Sequence, residues 1–281
     1  MSSVRLIACD LDGTLLDADH CTVPEGNIRA LREASARGTS IVIASGRPWS
    51  LVEDMAKQVG CVDYAVTCNG ASVVESATGK TLVAHGMERR VWSGIASALR
   101  SHGIFFSVYC EGECYVERWM VEKAMHMAEL TLLNPKFQEN FLKITTVVDR
   151  LEEALEGRRV EKIDAFQVPK EARKPVEDAV SALGPVYMAS GLTSSMEFTA
   201  AGCDKGAALS ELCAALGIDA SEVMAFGDGG NDVEMLRWAG QSYAMANAGP
   251  AAREAARYET ASNTEAGVGQ AVERDFLQKT E

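Results

Sequence analysis

Short apolar runs recur along the chain, and several stop abruptly at a cluster of Asp, Ser, Asn and Gly. Val4 to Cys9 is such a run, long enough for a buried strand and followed at once by Asp10. Ser40 to Ala44 and Tyr64 to Cys68 repeat the pattern ahead of Ser45-Gly46-Arg47 and Asn69-Gly70. Between them lie segments with helical spacing, Asn27 to Arg37 stopped by Gly38 and about Ser50 to Val59 stopped by Gly60. Strand, helix, strand is the rhythm of βαβ units, so this part of the chain predicts a parallel sheet with helices on its faces. Val73 to Val83 reads as a hairpin turning at Thr78-Gly79.

After His85-Gly86 the rhythm changes to helix, strand, strand, and does so twice. The first round is a helix near Glu88 to Ser101, strands Phe105 to Tyr109 and Cys114 to Glu117, a helix around Val121 to Leu130 and a strand Lys143 to Val148. The second is a helix Leu151 to Glu156, strand Ile163 to Val168, helix Ala172 to Leu183 and strand Val186 to Ala189. Residues 84–189 are therefore expected to form an inserted α/β domain, with Gly86 and Gly191 as hinges at the two crossings. From about Ser190 the first rhythm resumes: helix Lys205 to Leu216 stopped by Gly217, strand Val223 to Phe226 leading into Gly227-Asp228, a helix from about Asp232 to Ala239, and strand Ser242 to Met245. The predicted class is α/β, a doubly wound parallel-sheet core of residues 1–83 and 190–281 carrying the insert.

Composition narrows the function. A chain of 281 residues that is 47% hydrophobic can bury a full core. A net charge of −13 argues against nucleic-acid and anionic-membrane partners, which are held by clustered Lys and Arg. No apolar stretch approaches the roughly 20 residues of a membrane helix, and Asp10 arrives before a signal-peptide core could form, so a cytoplasmic protein is expected. The eight Cys are scattered through strands and helices and read as small buried hydrophobes. Cys110 and Cys114 flank a hairpin turning at Gly112 and lack a second Cys/His pair that would make a zinc site.

The polar signatures supply the chemistry. Asp10-Leu11-Asp12-Gly13-Thr14, Ser45-Gly46-Arg47, Lys205-Gly206 and Gly227-Asp228-Gly229-Gly230-Asn231-Asp232 follow in order, at expected strand ends or a helix start. Any one could be a turn built from turn-forming residues, but that reading leaves the set unexplained. Ligands of an open parallel sheet bind at the strands' carboxyl ends, and transfer of a phosphoryl group asks for positioning, charge neutralisation and a proton for the departing alkoxide. Asp10 is placed as nucleophile, giving an aspartyl-phosphate. Asp12, two residues on and expected on the same side of an extended segment, is placed as the general acid and base. Asp228 and Asp232 supply the hard oxygens that Mg²⁺ prefers. Ser45 offers a hydroxyl, Gly46 a backbone N–H, and Lys205 the charge that keeps Asp10 ionised.

At these residues the chain resembles the haloacid dehalogenase superfamily of phosphohydrolases, in its Cof-like subfamily IIB branch with a C2-type α/β cap between the second and third motifs. Asn69-Gly70-Ala71, the run from Phe226 to Ala248 and Glu265-Ala266-Gly267-Val268 extend the likeness over nearly the whole chain; Ala266 stands where the branch usually has Asp. The resemblance implies a Mg²⁺-dependent phosphatase acting on a small phosphorylated metabolite, with a sugar phosphate as the expected substrate. It puts the metal on Asp10, the backbone carbonyl of Asp12, Asp228 and Asp232. Arg47, Asn69 and Asn231 join Ser45 and Gly46 as phosphate- or substrate-binding candidates. The cap is expected to close over the site and read the leaving group. His126, Trp92 and Trp119 are read as packing residues, and Arg89 and Arg90 as a solvated helix end. A sugar phosphomutase is the alternative, disfavoured because Phe105 to Glu117 and Lys143 to Val148 offer one Lys and no Arg for a bisphosphate. A non-catalytic sensor of phosphometabolites is less consistent with the full set of acids. Monomer and homodimer both remain open.

Overall fold

The computed structural model describes residues 4–125, 143, 145–190 and 194–278. In chain order the first elements are β1 (Leu6–Cys9), α1 (Glu25–Ala36), β2 (Ser40–Ala44), α2 (Trp49–Val59), β3 (Tyr64–Thr67), β4 (Ser72–Glu75) and β5 (Lys80–Ala84). Next come α3 (Arg89–Ser101), β6 (Phe105–Cys110), β7 (Glu113–Glu117), α4 (Arg118–Met125), β8 (Thr145–Val148), α5 (Leu151–Ala154), β9 (Val160–Phe166), α6 (Lys170–Ser181), β10 (Val186–Ala189) and β11 (Met196–Ala200). The remainder holds α7 (Lys205–Leu216), β12 (Val223–Gly227), α8 (Val233–Trp238), β13 (Gln241–Ala244), α9 (Pro250–Ala255), β14 (Tyr258–Glu259) and α10 (Gly267–Val272). Residues 1–83 with 204–281 make one unit and 84–203 a second. His126 and Gly191, singled out from the sequence, lie outside the described residues.

The first unit is an eight-stranded sheet in the order β14-β13-β12-β1-β2-β3-β4-β5. β1 runs parallel to both its neighbours, β12 and β2. Its residues alternate between two cores: Ile7 and Cys9 join Ile41, Ile43 and Leu31 on one face, while Leu6 and Ala8 join Val42, Ala44, Leu209 and Leu212 on the other. Burial on both faces explains why these strands read as unbroken apolar runs rather than alternating ones. Each such Leu or Ile contributes about 1.5–3 kcal/mol of burial free energy. The chain leaves β1 to one side for β2 and reaches β12 on the other, so the strand order reverses at β1/β12, where doubly wound sheets open a crevice at their carboxyl ends.

The second unit is a six-stranded sheet in the order β10-β11-β9-β6-β7-β8. One core gathers Trp92, Ile95 and Leu99 of α3 and Val176 and Val180 of α6 with Phe106, Val108, Ile163 and Phe198 of the strands. Trp92 is part of that core, and Trp119 packs against it, as read from the sequence. Arg89 is exposed and paired with Glu156. The β6–β7 hairpin turns at Glu111 and Gly112 with φ of 53° and 83°, a left-handed pair that matches the twist of its strands. Cys110 and Cys114 are buried free thiols, and burial pushes them up to about 11 and about 12. The insert extends past the expected boundary at 189: β11 pairs antiparallel with β9 and β10, which carries the second unit to Cys203. Among the described residues no helix is long and apolar enough to cross a membrane.

Candidate active site

Every candidate site residue belongs to the first unit, on the loops that leave β1, β2, β3 and β12 or at the start of α7. Asp10 directly follows β1, and its N–H donates to the Phe226 carbonyl of β12 at 3.0 Å, so the first motif is tied to the strand that carries the last. Past Asp10 the chain curls instead of running on as a strand, although Asp12 keeps extended angles, φ −75° and ψ 119°. Leu11–Leu15 closes a wide turn, with Leu15 N–H donating to the Asp10 carbonyl at 3.1 Å and Leu16 N–H to Leu11 at 2.9 Å. The Asp10 carboxylate meets Lys205, and that of Asp12 meets Arg47 and His20.

Lys205 is wholly buried, and its Nζ lies 2.6 Å from Asp10 Oδ1 and 2.7 Å from Asp232 Oδ1. The helix delivers it there because Asp204 caps α7, accepting from the Ala207 N–H at 2.8 Å, and Lys205 is the first helical residue. Gly206 follows because a Cβ there would come within 2.6 Å of the Glu234 backbone. Asp232 spends its other oxygen on the N–H groups of Asp228 and Gly229, at 3.0 and 2.9 Å, and so shapes the glycine-rich loop. Asp228 accepts from the Thr14 hydroxyl at 3.0 Å. Gly13, with φ of 76°, lets the two loops touch, since a Cβ would stand 2.3 Å from Asp228 Oδ2.

Asp10, Asp228 and Asp232 each offer a carboxylate oxygen within 4.8 Å of the others. Burial, then Asp232, push the Asp10 carboxyl well above its ordinary range against the pull of Lys205. Burial and Asp232 likewise push Asp228 up to about 6. Burial works against the charged form of Lys205, but Asp10 and Asp232 outweigh it and hold its pKa high. Three acids share one ammonium, an excess of negative charge that a hard divalent cation would offset, and the all-oxygen donor set fits Mg²⁺.

Beside this cluster Arg47 forks onto Asp12, with Nε 2.8 Å from Oδ2 and Nη2 2.5 Å from Oδ1. His20 Nδ1 is 2.9 Å from the same Oδ1. Burial works the other way, yet Arg47 and His20 together hold the Asp12 carboxyl well below the usual range. The hydrogen bond to Asp12 holds the His20 ring above its ordinary value. Arg47, expected as a phosphate ligand, thus has its guanidinium on the second Asp. The buried Ser45 hydroxyl accepts from Arg47 N–H at 3.2 Å, and Gly46 lies half-buried between them. Asn69, with φ of 56°, accepts from Asn231 Nδ2 at 3.1 Å, joining the β3 and β12 loops. Three further residues were given no role from the sequence. Thr14 sits inside the first motif, His20 outside every motif, and Asn247, whose Nδ2 donates to the Gly13 carbonyl at 2.7 Å, lies in the Phe226 to Ala248 run.

A family model of the haloacid dehalogenase-like hydrolases matches residues 7–272, nearly all of the fold just described. The chain belongs to this family. As a haloacid dehalogenase-like hydrolase it is similar to the Escherichia coli 5-amino-6-(5-phospho-D-ribitylamino)uracil phosphatase YbjI, at 28% identity over 95% of this chain and 94% of that one. The structure of a haloacid dehalogenase-like hydrolase from Bacillus subtilis superposes with a TM-score of 0.84 at 25% identity, covering 96% of this chain and 99% of that one. That of the subclass IIB sugar phosphatase BT4131 gives 0.80 at 25% identity, with 96% and 98% covered.

Proposed function

We propose that the protein is a Mg²⁺-dependent phosphatase that hydrolyses a small phosphorylated metabolite, a sugar phosphate or a similar polyol monoester, through an aspartyl-phosphate on Asp10. The single observation that carries this reading is the buried Lys205 bridging Asp10 and Asp232 beside Asp228. A carboxylate used only for structure has no need of a dehydrated lysine and two further acids around it. The relatives named as phosphatases of phosphorylated small molecules point the same way.

Asp10 attacks the phosphorus and the ester oxygen departs. Asp12 gives that oxygen its proton and later takes one from the water that attacks the Asp10 phosphate. Lys205 holds Asp10 in place and favours its charged form. Asp10, the Asp12 carbonyl, Asp228 and Asp232 would hold the Mg²⁺, which when bound offsets charge on the phosphoryl oxygens. Asp12 is held ionised by Arg47 here, which suits its role as base; serving as acid requires a proton taken up as substrate arrives. A cytoplasmic location is part of the same proposal, the expected place for a free-thiol enzyme of metabolite phosphates.

The test is Asp10→Asn, which keeps the shape and removes the anionic nucleophile. Phosphate release from a panel of sugar phosphates should vanish while circular dichroism stays that of the parent. Activity within about tenfold of the parent would exclude the covalent route.

A further inference from the structure

His20 stands in a turn that needs nothing from its ring. The turn is closed by Asp17 N–H to the Thr22 carbonyl at 2.9 Å and His20 N–H to the Asp17 carbonyl at 3.0 Å. Asp19 completes it, its carboxylate accepting from the N–H groups of Cys21 and Thr22 at 2.9 and 2.8 Å and from the Thr22 hydroxyl. His20 itself has φ of 57°, a left-handed conformation that costs a residue with a side chain something to adopt. That conformation gives His20 two contacts. Its carbonyl accepts from Arg47 Nη2 at 3.0 Å, and its Nδ1 lies 2.9 Å from Asp12 Oδ1. Asp12, ionised against Arg47, can only accept, so Nδ1 carries the hydrogen.

A pair whose side chains are 50% and 41% exposed adds little to stability. What the contact does add is direction. Arg47 approaches Asp12 from a largely buried position, with 9% of its side chain exposed, and fixes both carboxylate oxygens in the plane of its fork. His20 binds the same carboxylate and also the guanidinium that holds it, so Asp12 and Arg47 are set relative to each other through one residue.

We propose that His20 is a positioning residue for Asp12, aiming its carboxylate for proton transfer to the departing ester oxygen and from the attacking water. This rests on the reading of Asp12 as general acid and base. It separates from a structural role through leaving-group dependence, because a poorly aimed acid slows the loss of a poor leaving group and hardly affects one that departs unaided.

The experiment compares His20→Gly, which keeps the positive φ and loses the ring, with His20→Asn, which tolerates that φ and keeps a donor near Nδ1. Phenyl phosphate and 4-nitrophenyl phosphate are the two substrates, with Asp12→Asn in parallel. For His20→Gly, kcat on phenyl phosphate should fall about tenfold with KM little changed, while 4-nitrophenyl phosphate loses no more than about twofold; His20→Asn should recover most of the loss. Equal losses on both substrates, or no recovery in His20→Asn, overturns the proposal while a substrate split in Asp12→Asn leaves the acid–base reading standing. The absence of a split in Asp12→Asn itself removes that reading, and this inference with it.

Discussion

Asp228 and Asp232 occupy matching places in the proposed metal site but have different work already. Asp232 is fully buried, with one oxygen on Lys205 and the other on two backbone N–H groups, whereas Asp228 is partly exposed and bonded through one oxygen to Thr14. Asp228 thus has the more available donor. Asp228→Ala is expected to raise the Mg²⁺ concentration for half-maximal activity by about tenfold or more, the scale of one lost hard ligand. Asp232→Ala should instead act on folding, lowering stability by about 3 kcal/mol, because it takes one of two carboxylate partners from the buried Lys205 ammonium and leaves two N–H groups without theirs. Metal titrations and melting curves of both variants decide between them; a larger melting loss in Asp228→Ala would reverse the assignment. Residues of this kind were legible in the sequence because each motif carries its own signal: acids after an apolar run, glycines where a Cβ would collide. The Arg47 fork and the His20 contact were not, since they join positions 35 and 8 residues from Asp12 through a turn whose shape no local pattern records.

At the level of elements, α7 was legible to the residue, Lys205 to Leu216 with Gly217 as its left-handed stop, while the Asp204 cap was not singled out. β11 was missed although Met196 and Phe198 alternate with Glu197 and Thr199, because alternation says nothing about which sheet a strand will join. The start of β9 was hidden by Glu161 and Lys162, charged residues that turn out to be buried. That charge has its own consequence. Lys162 Nζ lies 2.8 Å from Glu197 and 3.3 Å from Asp164, and Asp164 pairs across the sheet with Ser107 and Glu197. Burial, opposed by Lys162 and reinforced by Glu197, lifts the Asp164 carboxyl to about 7. A folded-state pKa above the unfolded value of about 3.9 means that folding favours the protonated acid. Its contribution is whole below about pH 4 and drains away as pH rises towards 7. Asp164→Asn, neutral at every pH, should flatten that decline and match or exceed the parent at pH 8. Urea midpoints across the range measure it, and an unchanged slope would assign the decline to other groups.

For the whole molecule, the division of labour follows from where the residues are. The first unit contains two hydrophobic cores, the sheet and every group of the proposed chemistry; the second has a core of its own. A net charge of −13 spread over the chain leaves recognition of an anionic ester to local cations, of which Lys205 and Arg47 stand at the proposed catalytic acids Asp10 and Asp12. Deleting residues 84–203 and joining the flanks through a short flexible linker should therefore give a core that folds, since closing a short loop costs little. That core is expected to keep Mg²⁺-dependent release of phosphate from 4-nitrophenyl phosphate, whose leaving group asks little of its surroundings, and to lose the parent's ranking of metabolite phosphates. Circular dichroism establishes folding, and rates across the same panel establish selectivity. A folded core that ranked the panel as the full chain does would place selectivity among the core loops. A folded core that bound Mg²⁺ but released no phosphate from the aryl ester would show that the insert supplies part of the chemistry.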